Sequence, residues 1–477
     1  MKHQQGASVE EPARSTPVYG SCDVLVIGGG PAGTAAAVVA GRLGADTVLV
    51  ERYNHLGGLS TGGLVSWIDR MTDWDGNLLV AGVGAELIDR CGPDATLGPM
   101  PEIWGSKNAV EAAYWRVRTA ALRDTVHWSP TVDPEVLKLV TNDIVRESNV
   151  HTLMHCWVVA AITRDDTVEG VIFESKQGRF ALTAPVVIDC TGDGDVFAMA
   201  GAGFDDDFDG ESAHARLTTS FRFGNVDMRR YLDFRMLRQT EFSEIMHRAS
   251  SEGISLLAHP TPYDSVALFL TPKMSGYSAL NVADLTEVEF VSRDVARKGL
   301  VFFRENVPGF ERSWILDTAS QVGTRHARRL VGAERITIDH WRNDGGYLDS
   351  IGLCPGLTPT FPTLQIPYRS LLPANTNGLL AAGRNLSADT KSHAALREIP
   401  ECWVMGEAAG VAATLAVDSG LDVRDIDIRA LQAQLVKQGG IVDRPTQPSQ
   451  HDRSHGPDLG LDESIHWQAV DEARAFD

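Results

Sequence analysis

At several points along the chain the apolar residues gather into short unbroken runs rather than alternating with polar ones. Residues 23–27 (DVLVI), 47–50 and 184–189 are of this kind, as are buried parallel strands with both faces covered. Residues 379–382 repeat the pattern. Between the first two runs lie Gly28-Gly29-Gly30-Pro31-Ala32-Gly33 and then 34–43, rich in Ala and Val. Gly44 follows, placed to end a helix in a left-handed conformation. Strand, glycine turn, helix and strand within about thirty residues predict a βαβ unit.

Further on, residues 134–147 read as a helix. Residues 151–162 and 168–174 read as antiparallel strands joined by a turn at 164–167. Trp74, Trp104, Trp115 and Trp128, with Pro and Gly between them, suggest loops and helices outside the nucleotide-binding sheet. A second compositional block spans about 204–365. It opens with Asp205-Asp206-Asp207, a solvated turn, and mixes a strand at 217–223 with a helix at 284–306. Residues 400–417 form a long helix of small residues. The chain after about 435 is polar and expected to attach loosely. No internal repeat is present.

The pattern predicts an α/β protein: a Rossmann-like dinucleotide-binding domain (βαβ, parallel sheet plus antiparallel β crossover) with an inserted α+β substrate domain. The expected division is a disordered tail at 1–20; a discontinuous dinucleotide-binding domain from 21–70, 131–203 and 366–420; a substrate or cap domain from 71–130 and 204–365; and a C-terminal helix and polar tail at 421–477.

Size supports two units, since 477 residues exceed the ~250–300 of a single core. Lys+Arg number 43 against 63 Asp+Glu, a net charge of -20, which argues against nucleic acid and anionic membranes as partners. No run approaches the ~18–20 apolar residues of a membrane span, and the first twenty residues lack the apolar stretch of a secretory signal. Cys22, Cys91, Cys156, Cys190, Cys354 and Cys402 are scattered without a CxxC. They suit small buried side chains in a reduced, cytoplasmic protein with no metal site.

The glycine turn carries the chemistry. Gly28 permits the sharp strand-to-helix turn, Gly30 lets a pyrophosphate approach the backbone, and Gly33 lets the helix pack close to the strand. Free N–H groups at the helix start hold the phosphates. Glu51 follows Gly33 by 18 residues, near the ~20 at which a carboxylate can accept both hydroxyls of a ribose. A carboxylate there disfavours a 2′-phosphate, which argues against NADP.

The stretch VIGGGPAGTAAAVVAGRLGADTVLVE with LGGLSTGG at 56–63 resembles FAD-dependent oxidoreductases of the glutathione-reductase-like flavoprotein superfamily. The similarity is greatest to the branch called the FAD-dependent oxidoreductase family. It continues at VIDCTGDGDVFAMAGA (187–202), SQVGTRHARRLVGAERIT (320–337), IPYRSLLPANTNGLLAAGRNLSAD (366–389) and HAALREIPECWVMGEAAGVAATLA (393–416). The resemblance implies FAD as cofactor. It implies that Gly28, Gly30, Pro31, Ala32, Gly33, Glu51 and Arg52 bind the adenosine and pyrophosphate half. Leu59, Ser60 and Thr61 would lie along the ribityl chain and flavin, and Trp157 and Val158 beside adenine. Gly192, Asp193, Gly383, Arg384 and Arg397 would line the cofactor, with Gly406 and Ala409 on the closing helix.

The family's GxRxxR stretch commonly carries an acidic residue after its first arginine; here Arg325 is followed by His326. Its usual Tyr-Pro with an acidic or His pair is replaced by Ile351-Gly352-Leu353-Cys354-Pro355. Both departures fall where substrate should sit, so the resemblance carries no substrate identity. Flavin chemistry needs a hydride donor near N5 and a base where an O–H or N–H proton must leave. His393 and His326 are the candidate catalytic groups, His55 a weaker one, and Arg325 a clamp for a carboxylate. The Trp-rich stretch offers an apolar or aromatic pocket wall. The expected activity is an FAD-dependent dehydrogenase or oxidase moving a hydride between a small-molecule substrate and flavin N5. The alternative is a flavin-dependent monooxygenase or halogenase. A pyridine-nucleotide disulfide reductase is opposed by the absence of a second glycine fingerprint and of a close cysteine pair. A homo-oligomer is compatible with the sequence.

Overall fold

The computed structural model describes residues 8–206 and 217–445. Residues 1–7 of the expected tail, Asp207 of the acidic run and residues 446–477 of the polar C-terminal stretch lie outside the described residues. At the centre is a parallel sheet in the order Leu379–Ala381, Val186–Asp189, Val24–Ile27, Thr47–Val50, His151–Leu153. The first four strands are buried on both faces because each face meets a separate core, whereas the edge strand His151–Leu153 is partly exposed. Val24, Val26, Leu49 and Ile188 point toward the helices Pro31–Arg42 and Ile399–Ser419. Leu25, Ile27, Val48, Val50 and Val187 point to an antiparallel sheet made by Trp157–Arg164, Thr167–Ser175 and Gly178–Thr183.

The two helices touch backbone to backbone. A Cβ placed on Gly406 would lie 2.1 Å from the Ala32 carbonyl oxygen, and one on Gly410 would lie 2.5 Å from that of Ala36. Their small residues thus clamp the glycine turn between sheet and closing helix. The helix Pro134–Glu147 begins where Asp133 accepts hydrogen bonds from the amides of Glu135 and Val136, with Pro134 at its first position.

A second core belongs to the later block. An antiparallel sheet in the order His259–Pro260, Val266–Phe269, Phe221–Gly224, Trp314–Thr318 packs with the helices Met228–Leu237, Gln239–Ser251 and Val282–Asn306. Phe221, Phe223, Phe269, Phe303 and Phe310 are fully buried in it, each contributing on the order of 2 kcal/mol through burial.

The packing groups some segments differently from their composition. The helix Gly82–Cys91 buries Val83, Leu87 and Ile88 in the core beneath the parallel sheet, as do Ile336, Trp341, Ile351 and Leu353 from the later block. Val18–Ser21 is a strand paired in parallel with Gly178–Thr183, although 18–20 were expected in the tail. The region after 435 is docked as far as it is described: Val442 is buried, and its carbonyl accepts from Ser350 Oγ at 2.7 Å.

Candidate functional site

The turn after Val24–Ile27 has the geometry its glycines were expected to permit. Gly28 adopts φ +98°, and a Cβ on Gly33 would sit 1.7 Å from the Gly28 carbonyl oxygen. Gly30 caps the helix without a side chain, and nothing lies within 4 Å of where its Cβ would be. That open cradle at a helix N-terminus leaves room for an anion to approach the backbone. Glu51 is buried, and its carboxylate is fixed by backbone: Oε2 accepts from the Gly29 amide at 2.6 Å and Oε1 from the Tyr53 amide at 2.8 Å.

From here a cavity of about 1230 Å³ runs between the parallel sheet and the second core. Gly28, Gly30, Pro31, Ala32, Glu51, Arg52, Leu59, Trp157, Val158, Gly192, Asp193, Gly383, Arg384 and Arg397 all line it, and so does Arg325. A chain of charges and rings crosses its floor. The Arg52 guanidinium lies 5.2 Å from the Trp157 ring centroid and 4.9 Å from that of Tyr53. It stands 3.7 Å from Asp193 Oδ2, whose Oδ1 is 2.9 Å from Arg384 Nη1. That last contact is close but misaligned, so neither atom makes a proper hydrogen bond. Burial would lower the pKa of Arg52, but Asp193 chiefly outweighs it, and the guanidinium is held above its ordinary value. The turn beyond Val186–Asp189 is held by Asp189, which accepts from the Thr191 amide at 3.0 Å and the Phe197 amide at 3.0 Å.

Other expected site residues stand behind this wall. Gly33, Gly406 and Ala409 serve helix contacts. The Ser60 hydroxyl donates to the Gly57 carbonyl at 2.7 Å and that of Thr61 to the Leu56 carbonyl at 2.5 Å, which shapes the 56–63 loop from within. His393 and His326 do not line the cavity; they are 1% and 4% exposed and meet edge to face at 5.6 Å. Burial first, then the charges of His326 and Arg397, push the pKa of His393 well below its ordinary value. Both imidazoles are packed inside the protein, while their chain neighbours Arg325 and Ala394 line the cavity. His55 contacts Gln321 Oε1 at 3.2 Å, and Gln321 lines the cavity in its place.

Apart from Trp67, which opens the Trp-rich stretch expected to wall a pocket, sequence reasoning missed the far wall. Thr218, Ser220, His259, Leu270, Thr271 and Lys273 line it, together with Trp67. The run Thr218-Thr219-Ser220 directly before the apolar strand Phe221–Gly224 was the one local signal, since hydroxyls there would otherwise enter a core. Among the described residues no group of three or more His, Cys, Asp or Glu could hold a metal ion, and no helix is long and apolar enough to cross a membrane.

The glycine turn, the fixed Glu51 carboxylate and the cavity that opens beyond them are the arrangement of a dinucleotide-binding protein. The family model for FAD dependent oxidoreductases matches residues 23–435, and the chain belongs to that family. It is an FAD enzyme, and the open cradle at Gly30, the fixed Glu51 carboxylate and the Arg52–Trp157 stack fit that cofactor. The fold is similar to that of several solved structures. A geranylgeranyl bacteriochlorophyll reductase-like protein from Thermoplasma acidophilum is 15% identical with a TM-score of 0.41, over 88% of this chain and 84% of that one. The flavin-dependent brominase Bmp2 is 12% identical with a TM-score of 0.46, over 87% and 84%. The p-nitrophenol 4-monooxygenase PnpA from Pseudomonas putida DLL-E4 is 13% identical with a TM-score of 0.41, over 88% and 85%. Likeness of this degree decides nothing about the reaction.

Proposed function

We propose that the protein is a dehydrogenase or oxidase that moves a hydride between a small organic substrate and the N5 position of FAD. The observation that carries this reading is the single cavity that joins the glycine turn and Glu51 to the wall bearing Ser220 and Leu270. Bound FAD supplies a two-electron acceptor. In this reading the helix N-terminus at Gly30–Gly33 holds the pyrophosphate and Glu51 accepts the ribose hydroxyls. Arg52, Trp157 and Val158 flank the adenosine. Leu59, Gly383 and Arg384 border the flavin half, shaped by Ser60 and Thr61 from behind. Arg325 faces the substrate, while His393 and His326 position the Arg384 segment.

The test is purified protein with FAD bound, mixed anaerobically with candidate substrates. Bleaching of the flavin band by an organic substrate alone is the expected result. Flavin that reduces only with NAD(P)H and recovers only with oxygen and a second substrate would replace this reading with the monooxygenase or halogenase alternative.

A further inference from the structure

The far wall of the cavity has an unusual donor set. The Thr218, Ser220 and Thr271 hydroxyl oxygens and His259 Nδ1 are all buried atoms without a hydrogen-bond partner. Ser220 itself is 0% exposed and Thr218 3%. A buried polar atom without a partner destabilises the fold, so four in one wall ask for a ligand that satisfies them.

The topology explains why they converge. Phe221 pairs with Phe269, and His259 with Leu268, in neighbouring strands of one antiparallel sheet. Ser220 precedes the first strand and Thr271 follows the second, so both stand at the same end of the sheet as His259. Thr218 joins them through its pairing with Gly323. This end abuts the 56–63 loop, where the Ser320 amide donates to the Gly62 carbonyl at 2.9 Å. The donors therefore sit beside the segment read as bordering the flavin.

Charge gives the sign. The chain as a whole carries -20, yet Arg235, Lys273 and Arg325 all line this part of the cavity. Burial first, then the positive charges of Arg235 and Lys273, push the pKa of His259 down to about 3. Trp67 stacks on the His259 ring at 6.3 Å, and Leu270 adds an apolar face.

We propose that this wall is an oxyanion subsite and that the substrate is an organic acid, its anionic head on Thr218, Ser220, Thr271 and Lys273 and its apolar body beside Trp67 and Leu270. The proposal rests on the reading that the far side of the cavity takes substrate. Hydroxyl, imidazole and ammonium donors satisfy an oxyanion and leave a cation or a neutral hydrocarbon poorly matched.

The test uses FAD-loaded protein and four probes that share one ring: benzoate, phenyl phosphate, benzamide and benzylamine. Binding is read by the flavin difference spectrum and independently by the shift in melting temperature. At least one anion should bind about tenfold or more tightly than benzamide, with benzylamine weakest. Which anion wins identifies the head group. In Lys273→Gln, and in Ser220→Ala, the advantage of the anion over benzamide should shrink about tenfold. Equal binding of all four, no binding of any, a preference for benzamide or benzylamine, or an unchanged preference in both variants would overturn the proposal. A protein that takes up no FAD would instead fall on the functional reading above.

Discussion

The imidazole of His393 and the carbonyl oxygen of Arg384 stand 2.7 Å apart. A carbonyl only accepts, so the proton is on Nε2 and Nδ1 carries a lone pair, buried and without a partner. This contact ties the helix Thr390–Leu396 to the peptide whose guanidinium reaches Asp193 across the cavity floor.

A buried neutral histidine gives stability a direction in pH. The unfolded chain takes a proton on it near 6.5 while the folded one resists, so its contribution is complete above that pH and is lost as pH falls through it. His393→Gln keeps an amide donor for Arg384 without a basic nitrogen. The fall in melting temperature between about pH 7.5 and 5.5 should be shallower in this variant than in the parent. Identical slopes would remove His393 from the account.

Glu51 holds two backbone amides as well as facing the cavity. Glu51→Ala leaves the Gly29 and Tyr53 amides without acceptors and should weaken FAD retention about tenfold or more, with Glu51→Gln between it and the parent. The ratio of flavin to protein absorbance after gel filtration measures this. Unchanged flavin content in Glu51→Ala would refute the role.

The nucleotide end was legible because its information is local. Val24–Ile27, the glycine turn and Glu51 lie within one βαβ unit, and Asp133 with Pro134 announces the helix that follows. Residues 151–162, read as one strand, are divided instead. His151–Leu153 stays in the parallel sheet, His155 turns at φ +57°, and Trp157–Arg164 crosses to the antiparallel one. The periodicity of apolar residues says nothing about such a change of sheet. The burial of His326 and His393 was hidden for a related reason: residue type suggested chemistry, whereas the segments packed over them lie elsewhere in the chain. The pairing of Trp67 with His259 likewise joins positions far apart in sequence, which no local pattern encodes.

Two glycines separate binding from folding. Gly30 has φ -71° and ψ -172°, which alanine accepts, and open space at its Cβ. Gly30→Ala should keep the parent's melting temperature as apoprotein yet lose FAD, because the methyl fills the phosphate cradle. Gly406→Ala drives a methyl to 2.1 Å from the Ala32 carbonyl oxygen. It should cost about 1–3 kcal/mol or more in stability as the helices separate. Equal destabilisation by the two, or full FAD retention in Gly30→Ala, would contradict this assignment.

Glu407 offers a second pH signature with the opposite sign. It is 4% exposed on the closing helix, accepts from the Val83 amide at 2.7 Å, and so caps the helix Gly82–Cys91, whose own N-cap residue Ala81 has no side chain that can. Burial, against the hydrogen bonds from Val83 and Gln438, pushes its carboxyl up to about 7. A raised carboxyl stabilises the folded state fully below its unfolded value of 4.5, and the benefit is lost as pH rises through about 7. Glu407→Gln keeps an acceptor for Val83 and never ionises. Its melting temperature relative to the parent should therefore climb from acid to mildly alkaline pH, by the equivalent of on the order of 1–3 kcal/mol. A difference that stays flat or falls with pH would mean that the carboxyl is ionised in the folded protein throughout, and the cap would then be a charged one.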